Sequence, residues 1–240
     1  MTTMMMTTTT STRTKTKTRK TRPAFPEPRP APAPDCSRCP RLAAFRQTNR
    51  EARPTWHNAP VPAFGDRAAG LLVVGLAPGL GGANRTGRPF TGDGAGEVLY
   101  PALLAHGFAK GQFAADPDDG LVLLDCRITN AVRCVPPGNK PIGAEIGACR
   151  SFLTAELEGA GAPRVVLCLG RIAHDATLRA LGRRPSAHPF AHAAVTPLDD
   201  APTLVSSYHT SRYNLNTGRL TAAMFDDVMA SVRSLVDDPT

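Results

Sequence analysis

The sequence predicts a three-layer α/β/α domain around a central, mainly parallel sheet of about four strands. Four short apolar runs are typical of strands that are buried on both faces of a parallel sheet. Segments of helical periodicity alternate with these runs, as expected for helices that cover both faces. The chain has 240 residues, of which 42% are hydrophobic and 20% charged. This composition excludes collagen, a coiled coil and wholesale disorder, and the length suffices for a large core.

The predicted strands lie where the apolar runs end in glycine or polar residues. They are 71–75, 121–124 with an extension toward residue 132, 165–170 and 203–207. The helical patterns are 97–106, 142–157, 172–181 and 220–236. Ligands of open α/β sheets bind beyond the carboxyl ends of the strands. Unusual sequence follows three of the four strands, at 75–93, 129–140 and 208–219, so we expect the functional site there.

The N-terminal segment differs in composition from the rest of the chain. Residues 1–34 carry seven basic residues and one acidic residue, whereas the whole chain has a formal net charge of +8. Threonine, lysine, arginine and then proline dominate this segment, which predicts a disordered tail before a single domain at 35–240. The tail is either merely solvated or an electrostatic arm that adds DNA affinity. The remaining charge of the body does not by itself establish a polyanionic partner.

Membrane and secretion signals are not evident in the sequence. No run approaches the roughly 18 consecutive apolar residues of a membrane span. Met4–Met6 are not followed by an apolar segment of signal-peptide length. We therefore expect a cytoplasmic protein without membrane association, and a monomer.

Cysteine spacing predicts a metal or cluster site. Cys126 and Cys168 lie in or beside apolar strands, so we expect them to be small core residues. Four others remain, interpreted as loop residues beside prolines such as Pro40 and Pro136: Cys36 and Cys39 in a CxxC pair, Cys134 and Cys149. Four thiolates satisfy either Zn²⁺ or a [4Fe–4S] cluster, and the ligand count does not decide between them. Unrelated buried cysteines are the other interpretation.

Three segments together resemble the iron–sulfur uracil-DNA glycosylases. These are 75–93, with its string from Asn84 to Asp93, 129–141, and 207–220, with its Asn-Thr-Gly-Arg-Leu ending. The two strings and the cysteine spacing are similar to the type 5 branch rather than type 4, over roughly residues 35–235. Type 4 has a glutamate where this chain has Leu76, and the usual His-Pro-Ser reads His209-Thr210-Ser211. The resemblance implies a [4Fe–4S] cluster on the four loop cysteines, with zinc the less favoured alternative.

The resemblance assigns base recognition to Gly75, Ala77, Phe90 and Asn130. Glycine lets the backbone approach a ligand closely, and the apolar Leu76 and Ala77 leave room for larger bases. An aromatic ring can stack on an extruded base. The Asn130 amide both donates and accepts, which matches the Watson–Crick edge of uracil. The other interpretations are a core phenylalanine and an asparagine bonded to its own loop.

Catalysis is assigned by the same resemblance to Asp93 and His209. A histidine N–H can stabilise negative charge that builds on uracil O2 as the glycosidic bond breaks. Asp93 is the only carboxylate of the first motif, and it would position water and stabilise the cationic sugar. It could instead cap a turn or helix, and His209 could be structural. The three motifs contain no lysine except Lys140, so we expect water to attack without a Schiff base.

Basic and hydroxyl side chains in the same loops suit contacts to DNA phosphates. They are Arg85, Arg88, Ser211, Arg212 and Arg219. The other histidines lack a motif context and are expected to be surface or packing groups: His57, His174, His188 and His192.

The implied function is excision of uracil and other deaminated or modified bases from DNA, by a monofunctional repair enzyme associated with the nucleoid. A noncatalytic DNA-binding module with the same fold is one alternative, motivated by the missing glutamate. A zinc protein with an unrelated ligand is the other.

Overall fold

The computed structural model describes Met1 and residues 31–158 and 161–238. Most of the predicted tail at 1–34 lies outside the described residues. Its last residues contact the body: the Cys36 N–H donates to the Ala33 carbonyl at 2.9 Å, and Arg50 Nη2 donates to the Pro34 carbonyl at 3.2 Å. The last residues of the predicted tail are thus linked to helical residue Arg50 by this hydrogen bond.

Six strands form the central sheet, two more than the sequence predicted, because a short strand is added at each edge. In the described ranges the strands are β1 (Phe64–Gly65), β2 (Leu71–Gly75), β3 (Ala109–Lys110), β4 (Val122–Leu123), β5 (Cys126–Asn130), β6 (Val165–Leu169), β7 (Val195–Thr196) and β8 (Thr203–Ser207). The sheet order is β1-β5-β2-β6-β8-β7, and β3 pairs with β4 separately. The four inner strands are parallel, whereas β1 and β7 pair antiparallel at the edges. The predicted fold class is therefore confirmed.

The second predicted strand, 121–124 with its extension toward residue 132, corresponds to two separate strands, β4 and β5. The apolar run at 121–124 contributes β4 to the small hairpin, and the central strand is β5, a few residues later. Leu121 and Leu123 are buried in the core from that hairpin, which accounts for their apolar character. The edge strands β1 and β7 have two residues each, too few to show an alternating pattern.

Seven α-helices are found in the described ranges: α1 (Pro40–Ala52), α2 (Ala83–Thr86), α3 (Gly96–Ala105), α4 (Gly143–Leu157), α5 (Arg171–Ala180), α6 (Arg212–Asn216) and α7 (Ala222–Asp237). The four predicted helices correspond to α3, α4, α5 and α7 within two residues at each end. Helix α1 was missed because Pro40 was interpreted as a loop residue. A proline is favoured in the first helical position, where its missing N–H is not needed.

Alternating residues of the inner strands supply both faces of the sheet. Leu71 and Val73 face α3 and α7, and Leu72 and Val74 face α4 and α5. A third, smaller apolar cluster joins α1 to α4 through Leu42, Val132, Cys149 and Phe152. Within the described part of the chain, no helix combines the length and the apolarity that a membrane crossing requires.

Candidate active site

A cavity lies at the carboxyl edge of the sheet, where the three motifs meet. It is lined by Ala77, Pro78, Gly79, Ala83, Phe90, Asp93, Ala95, Asn130 and His209. The parallel register explains the convergence, because Gly75 pairs with Asn130 at the ends of β2 and β5. β8 ends nearby at Ser207, opposite Leu169 of β6. Five residues proposed from the sequence for base binding or catalysis therefore share one cavity.

Gly75 stands beneath the cavity and leaves the space that its neighbours occupy. A Cβ at this position would lie 2.5 Å from Phe90 Cζ and closer still to Asn130 Oδ1. Asn130 itself is buried, with 4% of its surface exposed. The strand end therefore has to be glycine for the phenyl ring and the amide to hold these positions.

Phe90 has a left-handed backbone, with φ of 53°, which is unfavourable for a bulky residue. Two neighbours hold it there. The Tyr100 hydroxyl donates to the Pro89 carbonyl at 2.6 Å, and Gly96 has no Cβ to collide with the Phe90 carbonyl. The buried ring also belongs to the main core cluster, and it lies 6.0 Å from the His209 ring, centroid to centroid. Such strain, maintained by surrounding contacts, is frequent at functional sites.

Arg88 contradicts the prediction of a phosphate contact. Its guanidinium is buried and forms a two-pronged ion pair with Asp119, at 2.8 Å for each hydrogen bond. Arg88 Nε donates to Thr91 Oγ1 at 2.7 Å, and the charged group lies over the Tyr100 ring. A guanidinium enclosed in this way cannot reach DNA, so Arg88 braces the loop that carries Phe90.

One carboxylate oxygen of Asp93 accepts a hydrogen bond from the backbone. Oδ1 accepts the Ala95 N–H at 3.1 Å, and Oδ2 makes none of the hydrogen bonds found within the described residues. Oδ2 lies against Gly79 and Gly82, where a Cβ at Gly79 would be 3.0 Å away. The turn role and a role toward a ligand are therefore compatible, since each uses a different oxygen.

His209 is partly buried, and burial lowers the pKa of its imidazole below the ordinary value. The nearby Asp93 carboxylate opposes this shift without overcoming it. Asn214 Nδ2 donates to the His209 carbonyl at 2.8 Å and fixes the backbone at this point. The ring is therefore neutral at pH 7, with one N–H available as a donor.

The other predicted phosphate contacts lie on the exposed rim. Arg85 Nε donates to the Gly81 carbonyl at 2.8 Å. Arg212 packs over Gly94 and lies 3.6 Å from Glu97 in an exposed ion pair.

Arg219 lies over the Tyr208 ring, 4.6 Å from its centroid, and is exposed. Ser211 is partly exposed and immediately precedes α6. Together with Arg85 and Arg212, these side chains give one edge of the cavity a positive and polar rim.

The four remaining predicted ligands surround a second, largely apolar cavity. Cys36, Cys39, Cys134 and Cys149 all line it. The sequence interpretation as loop residues is wrong for Cys149, which lies inside α4, and Cys39 directly precedes α1. Cys126 and Cys168 are buried in β5 and β6, as predicted.

Several observations test whether this cavity fits an iron–sulfur cluster. The Arg133 N–H donates to Cys149 Sγ at 3.4 Å, and Arg46 Nη1 donates to Cys134 Sγ at 3.7 Å. Hydrogen bonds to sulfur are typical around such clusters. Arg133 lines the cavity, and its buried Nε has no partner among the described residues.

A single metal ion would need several of these ligands close to one point. No set of three or more histidine, cysteine or acidic side chains in 31–158 and 161–238 is arranged to hold one ion. Burial raises the pKa of Cys39 and Cys149, and raises that of Cys134 to about 11, so these thiols are neutral until a metal displaces their protons.

The segment that forms the α/β/α sheet and its cavity also matches a protein-family model. The model of the uracil DNA glycosylase superfamily matches residues 62–233. The chain therefore belongs to the uracil DNA glycosylase superfamily.

Within the superfamily, the chain is similar to type-5 proteins over most of its length and to type-4 proteins over a smaller part. The type-5 uracil-DNA glycosylase of Thermus thermophilus is 47% identical over 206 residues, which cover 83% of this chain and 93% of that protein. The type-5 protein of Pyrobaculum aerophilum is 41% identical over 199 residues, covering 81% and 86%. The type-4 protein of the same organism is 34% identical over 151 residues, covering 62% and 63%. The resemblance seen in the motifs is thereby confirmed.

Sequence reasoning missed several residues around both cavities. Arg133 and Arg46 donate to cysteine sulfurs, and Asp119 holds Arg88. Arg133 directly precedes Cys134 in the second motif, and that position was the available signal for it. Arg46 and Asp119 lie outside the motifs, and only the folded arrangement connects them to the sites.

Proposed function

We propose that this chain is a monofunctional DNA glycosylase that hydrolyses the N-glycosidic bond of uracil, and of other deaminated or modified bases, in base excision repair. One observation carries the proposal: Phe90, Asp93, Asn130 and His209, from three distant segments, line a single cavity. The type-5 uracil-DNA glycosylases among its relatives support the same conclusion.

Base recognition follows from the walls of the cavity. An extruded base stacks on the Phe90 ring, a contact that contributes about 1–3 kcal/mol. The Asn130 amide donates to O4 and accepts from N3–H of uracil, a pattern that cytosine reverses. The small side chain of Ala77 leaves the wall open to larger modified bases.

Hydrolysis breaks the bond between C1′ of the sugar and N1 of the base. The electron pair leaves with the base, and the neutral His209 N–H stabilises the charge that develops on O2. Oδ2 of Asp93 orients a water molecule and accepts its proton as the oxygen bonds to C1′. The base leaves as an anion and takes up a proton from solvent, Asp93 releases its proton to solvent, and the products are the free base and an abasic site in an intact strand.

Cys36, Cys39, Cys134 and Cys149 would hold a [4Fe–4S] cluster, with zinc the less favoured occupant. Such a group supplies a structural crosslink between the N-terminal segment, the loop after β5 and helix α4. Iron analysis of the purified protein should give about four irons per chain, with visible absorbance. Cys36→Ser should lose both, whereas Cys168→Ser, outside the cavity, should retain them. One bound zinc in a colourless protein would contradict the cluster.

The proposed partner is DNA, held at the rim by Arg85, Ser211, Arg212 and Arg219. The proposal includes a monomeric enzyme that acts in the cytoplasm on nucleoid DNA, with residues 35–240 as one glycosylase domain. Deletion of residues 2–30 should weaken the salt dependence of DNA binding without abolishing excision. Loss of folding in this deletion would contradict the domain assignment.

The direct test uses oligonucleotides that contain uracil, hypoxanthine or hydroxymethyluracil. Excision should leave abasic sites that break only after alkali. If no base is released at high enzyme concentration, the proposal fails. DNA binding without release would then support the noncatalytic module. Asn130→Ala and His209→Ala should reduce the excision rate far more than binding.

A further inference from the structure

The end of β8, just before His209, is held by a histidine from a distant loop. β8 ends at Ser207, so the next backbone N–H, that of Tyr208, is beyond the strand and needs another acceptor. His192 supplies it: the Tyr208 N–H donates to His192 Nδ1 at 3.2 Å. Because a backbone N–H can only donate, this hydrogen bond requires an unprotonated Nδ1 and therefore the tautomer with hydrogen on Nε2.

The same histidine also fixes the Tyr208 side chain. The two rings are stacked, with centroids 4.8 Å apart and planes 6° from parallel. Arg219, one of the predicted phosphate contacts, covers Tyr208 at 4.6 Å. The Ser207 hydroxyl donates to the Tyr208 carbonyl at 2.9 Å and lies 3.5 Å from His192 Nδ1. Both the backbone and the ring that precede His209 are thus constrained by His192.

We propose that His192 is a positioning residue for the glycosylase reaction: its neutral Nδ1 anchors the Tyr208 N–H and thereby sets the orientation of His209. This inference rests on the proposed function. It also replaces the expectation that His192 is only a surface or packing group.

Protonation of His192 would break this arrangement. A second N–H on the ring would face the Tyr208 N–H, placing two donors against each other. The charged group in the stack is the Arg219 guanidinium, whose positive charge would repel a protonated His192. Burial also lowers the pKa of His192 below the ordinary value. His174 lies farther along, edge-on to Phe190, whose ring is 6.1 Å from Tyr208. Excision should therefore decline as the pH falls through the lowered pKa.

Two variants separate the hydrogen bond from the stacking. His192→Asn can place its Oδ1 where Nδ1 lies and does not titrate, whereas His192→Phe keeps the stacked ring and loses the acceptor. Single-turnover excision by His192→Phe should fall by about tenfold or more, since small misplacements of catalytic groups are costly. His192→Asn should recover most of the rate.

The pH profile provides a second readout. The wild-type rate should decline in acid with one more proton than that of His192→Asn, because only the wild type can be protonated at position 192. A wild-type rate and unchanged acid profile in His192→Phe would overturn the inference, whereas a wild-type protein that excises nothing would refute the proposed function instead.

Nitrogen NMR of the ¹⁵N-histidine-labelled wild-type protein tests the tautomer of His192 directly. It requires neither an activity assay nor a folded His192→Phe variant. The signal that His192→Asn removes should belong to the tautomer with hydrogen on Nε2, and hydrogen on Nδ1 would overturn the inference.

Discussion

Asn130 Oδ1 lies against Gly75, its register partner on β2, in the space where any other residue would place a Cβ. The pairing of two parallel strands therefore delivers the amide to the cavity, and the glycine makes room for it. Phe90 approaches the same space with its Cζ. The proposed base-binding surface thus depends on the absence of one methyl group.

Gly75→Ala should reduce kcat/KM for uracil excision by about 100-fold, because displacing the ring or the amide by about 1 Å is enough for such a loss. Steady-state excision assays measure the effect. Gly81→Ala is the matched control, since a Cβ at that exposed position meets nothing within 4 Å. Equal activity of the two variants would show that the cavity tolerates the methyl group and would contradict the proposed base position.

Asp93→Asn should lower kcat by about 10²–10⁴-fold while the turn survives, because the amide oxygen still accepts the Ala95 N–H. Single-turnover excision gives the rate, and a thermal melt shows that the fold is retained. Asp66→Asn provides a comparison with the same local geometry, since Asp66 Oδ1 accepts the Ala68 N–H at 2.9 Å far from the cavity. A fully active Asp93→Asn enzyme would remove the carboxylate from the mechanism.

Arg212→Gln should weaken DNA binding and reduce the slope of log K against log salt by about 1, as expected for one lost phosphate contact. Fluorescence anisotropy across a salt series measures this slope. Arg164→Gln is a suitable control, because this exposed arginine precedes β6 at the opposite end of the strands. If both variants give the wild-type slope, Arg212 does not contact DNA.

Asp119→Asn should destabilise the fold by about 3–5 kcal/mol, since it leaves the buried Arg88 guanidinium without its counter-charge. Denaturant unfolding measures this free energy. Glu97→Gln, which removes an exposed partner of Arg212, should cost no more than about 1 kcal/mol. A comparably small effect of Asp119→Asn would mean that water or another group compensates Arg88.

The Asp119 pair also predicts a pH dependence. The hydrogen bonds from Arg88 hold the pKa of Asp119 well below its ordinary value. The pair therefore stabilises the fold above the unfolded-state pKa of about 3.9, and this contribution is lost as the pH falls toward the folded-state pKa. Below about pH 4 the wild type should lose stability faster than Asp119→Asn. Parallel acid profiles of the two proteins would contradict this.

Much of the fold could be predicted because its signals are local. The inner strands β2 and β6 are continuous apolar runs, β8 has an apolar centre, and four helices show their own periodicity. The predictions failed where the signal was short or ambiguous. The two-residue edge strands show no pattern, and the apolar run at 121–124 belongs to a hairpin rather than to β5. The start of α1 was missed because Pro40, its first residue, was interpreted as a loop residue.

By itself, the sequence determined which chemical groups are present and which strand ends carry them: the Asn130 amide, the Asp93 carboxylate, the His209 imidazole and four cysteines. Only the tertiary structure decided which neighbours each group has. Arg88 and Arg85 lie three positions apart in one motif, yet Asp119, 31 residues away, buries the first and leaves the second exposed. His192 likewise acquires its role from a backbone N–H that β8 leaves unpaired. Such long-range pairings depend on how the strands are ordered, which local spacing does not encode.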